Sequence, residues 1–376
     1  MQVPFLDLKI QYQSIKDEVN PAIQNVIENT AFILGNAVSG FEKDFASAHS
    51  VKHVLGVSSG TDGNHMALWA LGIGAGDEVI IPANTFIATA WGATLCGATP
   101  VFVDCHPESY NIDPSKVEAA ITKKTKAIVA VHLYGQPADM DALKAIADKH
   151  KIYLVEDAAQ SHLAEYHGKK IGGFGVITSF SFYPGKNLGA YGEGGAVATD
   201  DDDLALKMKM IREHGQSQKY YHEMLGHNYR MEGIQGAVLG VKLKHLDKWT
   251  DGRRRAAKKY NELLSGVQQI VLPKEMNDVK HVYHLFVIRV KAGGAERSKL
   301  RNELQNFLTA AGIGTGLHYA IPLHEQNCFK NLVYKKGDFP VTEELAETGI
   351  SLPMFPELTD EQIGYVCDKI KEFFKK

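Results

Sequence analysis

Two runs decide how this chain folds: Ile152-Tyr153-Leu154-Val155-Glu156-Asp157-Ala158-Ala159-Gln160, and Val176-Ile177-Thr178-Ser179-Phe180-Ser181-Phe182-Tyr183-Pro184-Gly185-Lys186-Asn187-Leu188-Gly189. The first is a short apolar stretch that ends in two acids. The second is a β-branched and aromatic stretch that ends in a lysine and glycines. Short apolar runs with polar or glycine-rich borders read as buried strands. A glycine-rich turn, Gly192-Glu193-Gly194-Gly195, closes the segment.

Upstream, the same grammar repeats. Strand patterns at Val54–Val57, Val79–Ile81, Pro100–Val103 and Ala127–Val131 alternate with helical ones at Asn64–Leu71, Phe86–Leu95, Pro114–Ile121 and Met140–His150. Such alternation predicts a largely parallel sheet covered on both faces, with ligands at its carboxyl edge. Ser59-Gly60-Thr61, Asn84-Thr85-Phe86, His132-Leu133-Tyr134-Gly135 and Asp157 all follow strands, so all fall on that edge. The turn Ser58-Ser59-Gly60-Thr61-Asp62-Gly63 leads into a helix, an arrangement that aims free backbone N–H groups at an anion.

Further out, Ile15, Val19, Ile23, Val26 and Ile27 have helical spacing, and Pro21 among them predicts a kink or two shorter helices. A second helix covers Val38–Ala48. The acidic run Asp200–Asp203 reads as the cap of a helix over Leu204–Arg212. Helices follow at Gly233–Leu246 and Asp251–Leu264, the latter with Arg253-Arg254-Arg255 as a solvated face. The pattern then changes to a strand at Val282–Val290, a helix at Arg297–Ala310, a short strand at Ile313–Gly316 and a last helix at Thr359–Phe373. We expect a large domain over 1–249 and a smaller α+β domain over 250–376.

Composition narrows the function. The chain has 376 residues, 44% apolar and 23% charged, which suits a globular protein. A net charge of -3 gives no electrostatic case for nucleic acid or an anionic membrane. Cys96, Cys105, Cys328 and Cys367 form no CxxC pair, so no metal site is expected. The first residues lack a signal-peptide pattern, and no apolar run approaches the ~20 residues of a membrane span. The expected location is the cytoplasm. No GxGxxG follows a strand, which argues against a dinucleotide-binding enzyme.

An acid at one strand end and a lysine past another suit pyridoxal phosphate. That cofactor needs a lysine for its Schiff base and a carboxylate for its ring nitrogen. At this point the chain resembles the DegT/DnrJ/EryC1/StrS family of pyridoxal phosphate-dependent nucleotide-sugar aminotransferases. The matching segments, in family order, are Pro4-Phe5-Leu6-Asp7, Ser59-Gly60-Thr61, Gly76-Asp77-Glu78-Val79, Thr85-Phe86, Val131-His132-Leu133-Tyr134-Gly135-Gln136 and Glu156-Asp157-Ala158-Ala159-Gln160. Ser181-Phe182-Tyr183 with Lys186-Asn187-Leu188-Gly189, Asn228-Tyr229-Arg230 and His318-Tyr319 complete the series.

The resemblance implies a fold type I, aspartate-aminotransferase-like α/β architecture and a homodimer with shared sites. Lys186 would be the aldimine lysine and general base, and Asp157 would pair with the pyridinium nitrogen. Gln160 would lie beside the ring hydroxyl, and Phe86 would stack on the ring. Gly60, Thr61 and Ser181 would hold the phosphate, joined by Asn228 from the neighbouring subunit. Tyr183, Arg230, His318 and Tyr319 are candidate substrate contacts. Relatives that dehydrate 4-keto sugars carry histidine in place of the lysine, so Lys186 implies transamination.

The reaction implied is ping-pong: L-glutamate converts the cofactor to pyridoxamine phosphate, which aminates a nucleotide-linked keto sugar. The segment His132–Gln136 resembles 3-aminotransferase members more than 4-amino ones, which implies a C3 keto group of a 6-deoxyhexose, with dTDP as the expected nucleotide. A 4-keto sugar, a UDP-linked 3-keto sugar, a keto-cyclitol and a non-catalytic cofactor-binding regulator are the alternatives. Three positions depart from the family pattern: His162-Leu163 where glycine commonly follows the histidine, Glu193 in place of Asp, and Gly185 where Thr is frequent.

Overall fold

The computed structural model describes residues 1–375. The first nine strands are β1 (His53–Val57), β2 (Glu78–Pro82), β3 (Thr99–Val103), β4 (Thr125–Val131), β5 (Tyr153–Asp157), β6 (Glu165–Tyr166), β7 (Lys169–Lys170), β8 (Ile177–Ser181) and β9 (Gly195–Thr199). Seven of them form one sheet in the order β1-β9-β8-β5-β4-β2-β3. All neighbours pair parallel except β9, which lies antiparallel between β1 and β8. Strands buried on both faces carry apolar runs, and the sequence of β4, Thr-Lys-Ala-Ile-Val-Ala-Val, is such a run.

Helices cover the sheet: α1 (Leu8–Glu28), α2 (Gly35–His49), α3 (Gly60–Ala70), α4 (Ile87–Leu95), α5 (Pro114–Val117), α6 (Met140–His150), α7 (Asp202–Arg212) and α8 (Gly233–Leu243). Their ends follow local chemistry. Ser59 caps α3 by accepting from Asp62 N, and Asp201 caps α7 by accepting from Asp203 N and Leu204 N. The acidic run is therefore a cap, as read. Pro21 lies inside α1, which continues as one 21-residue helix rather than two.

The strand ends are braced from within. Glu156, fully buried, accepts from His132 Nε2 at 3.1 Å and from Phe174 N, Gly175 N and Thr178 Oγ1. Burial alone would raise this carboxyl, but the His132 hydrogen bond and the other donors outweigh it and the net shift is downward. Because His132 Nδ1 accepts from Ala138 N, its Nε2 carries the proton donated to Glu156.

The C-terminal part has a core of its own. Helix α9 (Leu246–Leu264) places Leu246 and Trp249 in the cores around the sheet, and Ala256, Ala257, Tyr260 and Leu264 in the C-terminal core. Strands β10 (Gln216–Gln218) and β11 (Tyr221–His222) form a hairpin before it. After it come β12 (Ile270–Val271), β13 (Val279–Lys280), β14 (Phe286–Val290), α10 (Glu296–Ala310), α11 (Pro340–Thr348), β15 (Gly349–Leu352) and α12 (Asp360–Lys375). Strand β13 pairs with β6, tying the C-terminal part to the large sheet's flank. Val3 joins the C-terminal core through a bridge to Ile313.

Two expectations are corrected here. Ile313–Gly316 is not a strand: only isolated bridges form, at Ile313 to Val3 and at Gly316 to Ser351. Nor is Arg253-Arg254-Arg255 a solvated face. Arg253 is buried and donates to the carbonyls of Tyr283 and His284 at 3.2 Å and Met354 at 2.9 Å. Arg254 donates to Glu275 Oε1 at 2.6 Å and His281 O at 2.7 Å. Only Arg255, paired with Asp360, is substantially exposed. Loop carbonyls without ladder partners need donors, and the guanidinium fork supplies several from one residue.

This ranks the three arginines. Arg253→Ala should cost about 3 kcal/mol in chemical denaturation, because it strands buried carbonyls. Arg255→Ala should cost less than about 1 kcal/mol. Equal losses in the two variants would contradict the assignment.

Candidate active site

The carboxyl ends of β1, β2, β5 and β8 deliver Ser59, the Asn84–Phe86 loop, Asp157 and Ser181 to one edge of the sheet. Strand β9 starts at the same edge, with Gly195 opposite Ser181 and Val57. Backbones crowd there. A Cβ on Gly60 would lie 2.5 Å from Ser181 Cβ, and one on Gly195 would lie 2.4 Å from the carbonyl of Ser59. The cup is therefore lined by backbone. Gly60 and Thr61 open α3, where helical N–H groups have no internal acceptor. Those of Asp62 and Gly63 already bond to Ser59. Two N–H groups and the nearby Ser181 hydroxyl remain for a dianion, which the helix dipole also favours.

Lys186 follows on a turn closed by its own N–H bonding to Tyr183 O. Asn187 locks that turn outward, donating to Val282 O at 3.0 Å with its Oδ1 3.3 Å from His284 Nδ1. Lys242, buried on α8, donates to Gly189 O at 2.5 Å. Some surface of Lys186 is accessible, yet protein crowds its ammonium. Desolvation lowers it from the ordinary lysine range to about 8, against the opposing pull of Asp157. His162, His284 and His318 face the same ammonium and are all shifted down by burial, His318 to about 4. Neutral imidazoles add no charge beside the lysine at neutral pH.

Asp157 is buried at the end of β5, and Gln160 stands one turn beyond it. The Gln160 amide is pinned at both atoms: Oε1 accepts from Tyr134 N at 2.7 Å, and Nε2 donates to Tyr319 Oη at 3.2 Å. Tyr319 is 5.8 Å from Phe86, ring centre to centre, and burial raises its phenol above the ordinary range. Phe86 leaves 51% of its surface open, which gives a planar ligand a face to stack on. His318 stacks on Phe5 and bonds Ser351 Oγ through Nδ1.

The expected residues thus divide. Gly60, Thr61, Ser181, Asp157, Gln160, Lys186, His318 and Tyr319 come together at the edge. Tyr183, 56% exposed, stands over the Lys186 turn. Arg230 bridges to Val57 and carries a buried Nε with no protein partner. Asn228 is exposed beside the β10–β11 hairpin. Sequence reading missed Asn64 and Thr89, both buried against Asp157, as well as Asn187 and His284. Asn187 was legible as part of the lysine turn, but its partners were not.

The family model for DegT/DnrJ/EryC1/StrS aminotransferases matches residues 13–371. The chain belongs to that family. It is 48% identical over 377 residues to a pleiotropic regulatory protein of Geobacillus stearothermophilus, covering 100% of this chain and 99% of that one. It is 43% identical to the dTDP-3-amino-3,4,6-trideoxy-alpha-D-glucose transaminase of Streptomyces venezuelae, over 100% of this chain and 97% of the relative. Among solved structures it matches S. venezuelae DesV in complex with a ketimine intermediate, with a TM-score of 0.96, 43% identity and coverage of 100% and 99%.

The family member is thus a pyridoxal phosphate-dependent transferase with the aspartate-aminotransferase-like fold. Its residues fit that cofactor. The backbone cup suits the phosphate, the open Phe86 face suits the ring, and an acid lies within electrostatic reach of a low-lying lysine.

Two measurements test this geometry. Gly60→Ala should weaken pyridoxal phosphate binding at least tenfold in an absorbance titration, because its methyl meets Ser181; unchanged affinity would refute the cup. A lysine near 8 is half neutral at pH 8, and only the neutral amine attacks an aldehyde. The reconstitution rate of cofactor-free protein should therefore rise from pH 7 and level off above about pH 9. A rate still climbing steeply at pH 10 would mean an unshifted lysine.

Proposed function

We propose that this transferase moves an amino group from L-glutamate to a nucleotide-linked keto sugar, with a C3 keto group of a dTDP-linked 6-deoxyhexose as the preferred acceptor. One observation carries the transaminase chemistry: Lys186, lowered to about 8, lies within electrostatic reach of Asp157. When bound, pyridoxal phosphate supplies a carbonyl that accepts amino groups and a ring that takes up electrons.

The chain's residues do the rest. The Gly60 and Thr61 N–H groups and the Ser181 hydroxyl hold the phosphate, and Asn228 of a second copy completes that cup. Asp157 holds the proton on the ring nitrogen, and Gln160 borders the ring hydroxyl. Phe86, with its open face, would stack on the ring. With the cofactor bound, Lys186 Nζ would take the proton from the amino-bearing carbon of the donor and hand it to the cofactor's carbonyl carbon, and in the second half-reaction it would move a proton the opposite way, onto the acceptor carbon. A base near the working pH suits both directions. His318, Tyr319, Tyr183 and Arg230 line the approach of the substrate.

The acceptor class is supported by the 43% identical relative, which is named for a dTDP-3-amino sugar. The homodimer is supported by large apolar side chains left open on one chain, among them Phe32, Ile33, Trp91 and Leu95. The relative named a regulatory protein makes cofactor binding without turnover the competing reading. The retained Lys186–Asp157 pair favours turnover.

Reconstituted protein should release 2-oxoglutarate from L-glutamate and then aminate a dTDP-3-keto-6-deoxyhexose. Lys186→Ala should lower both half-reactions by about 10^3-fold or more. Turnover of 4-keto sugars, UDP-linked 3-keto sugars or keto-cyclitols alone would overturn the acceptor, and tight cofactor binding with no turnover of any amine donor would favour the regulator.

A further inference from the structure

Asp157 is not held by its own strand alone. Its Oδ2 accepts from Asn64 Nδ2 at 2.9 Å and from Thr89 Oγ1 at 2.7 Å, while Oδ1 accepts from Ala159 N at 3.1 Å. Asn64 comes from α3 and Thr89 from α4, and both are buried. The two helices meet closely enough for this. A Cβ on Gly92 of α4 would lie 3.0 Å from Asn64 Cβ and 3.1 Å from its backbone.

The hydrogen-bond directions are fixed by what each group can do. An ionised carboxylate only accepts, so both side chains must donate to it. Asn64 can turn its amide nitrogen to Asp157 only if its oxygen is satisfied elsewhere, and the Ser179 hydroxyl bonds to that oxygen. Thr89 can donate to Asp157 only if it accepts from Thr85, whose hydroxyl lies 2.9 Å away. The polarity therefore runs one way, from Ser179 through Asn64 and from Thr85 through Thr89, and ends on one oxygen. A carboxylate offers about four acceptor directions. Three are filled, and the fourth is on Oδ1.

We propose that Asn64 and Thr89 are positioning residues that fix the plane of Asp157 and reserve one Oδ1 acceptor direction for the cofactor ring nitrogen. The proposal rests on the assignment of Asp157 to that nitrogen, not on any choice of sugar. Its structural logic is economical: α3 presents Gly60 and Thr61 to the phosphate and, about 6 Å along its axis, Asn64 to the acid. One helix thus sets the spacing between the groups that would hold the phosphate and the ring nitrogen. Thr89, at the third position of α4, stands three residues after Phe86, the N-cap of that helix.

The test uses the full-length protein with pyridoxal phosphate and no sugar. Thr89→Val and Asn64→Leu remove the donors at similar volume, and Thr89→Ser keeps one. The readouts are cofactor affinity, the pH midpoint of the bound cofactor's absorbance change, and the 15N shift of cofactor labelled at the ring nitrogen. Thr89→Val and Asn64→Leu should each weaken binding about tenfold, as expected for losing a hydrogen bond to a charged group. Each should also displace the absorbance midpoint and move the 15N signal away from its protonated position, and Thr89→Ser should restore all three.

Variants that keep the wild-type midpoint and 15N shift would overturn the proposal, even if their thermal stability fell. Should Asn64→Leu fail to fold, the Thr89 pair of variants decides. A wild-type ring nitrogen that is unprotonated would instead overturn the role of Asp157 itself.

Discussion

The close approach of backbone where β1, β8 and β9 meet governs the rest of the molecule. An antiparallel strand inserted between two parallel ones brings Gly195 against Ser59 while Gly60 sits against Ser181, each with no room for a side chain. That contact makes the N-terminal end of α3 a surface of bare N–H groups. It also sets where β8 ends, and so where the turn bearing Lys186 begins. An ordinary side chain at either glycine would push apart the strands that set the distance between the anion cup and the lysine.

The site needs both rigidity and a reactive amine, and these pull against each other. A lysine in water is a poor nucleophile because it is protonated. Here desolvation does most of the activation and outweighs the raising pull of Asp157. The imidazoles near Lys186 are held neutral, and the compensating acid is engaged by donors from two helices. The turn cannot relax toward solvent, since Asn187 anchors it to the segment after β13 and Lys242 to α8.

Much of this was legible in the sequence, for definite reasons. Strands of a covered parallel sheet must be apolar on both faces, so 54–57, 79–81, 127–131 and 152–157 stand out, and topology puts their ends on one edge. Residues that act through backbone, such as Gly60, announce themselves by type. What stayed hidden depends on long-range partners. Asn64 and Thr89 occupy ordinary helical positions, and only the meeting of α3 with α4 gives them a common target. Arg253-Arg254-Arg255 reads as a charged surface until loop carbonyls far along the chain are found to lack other donors. Ile313–Gly316 has strand composition but meets its neighbours at single points.

The bridge between Val3 and Ile313 joins the two ends of the chain in one core. Val3 precedes every strand of the large sheet, whereas Ile313 follows them all. Contacts of such sequence separation reward the chain only after a very large loop has closed. The C-terminal core therefore cannot be completed by its own segment. The segment before α1 thus bears on the site as well as on that core, since Phe5 in it stacks on His318.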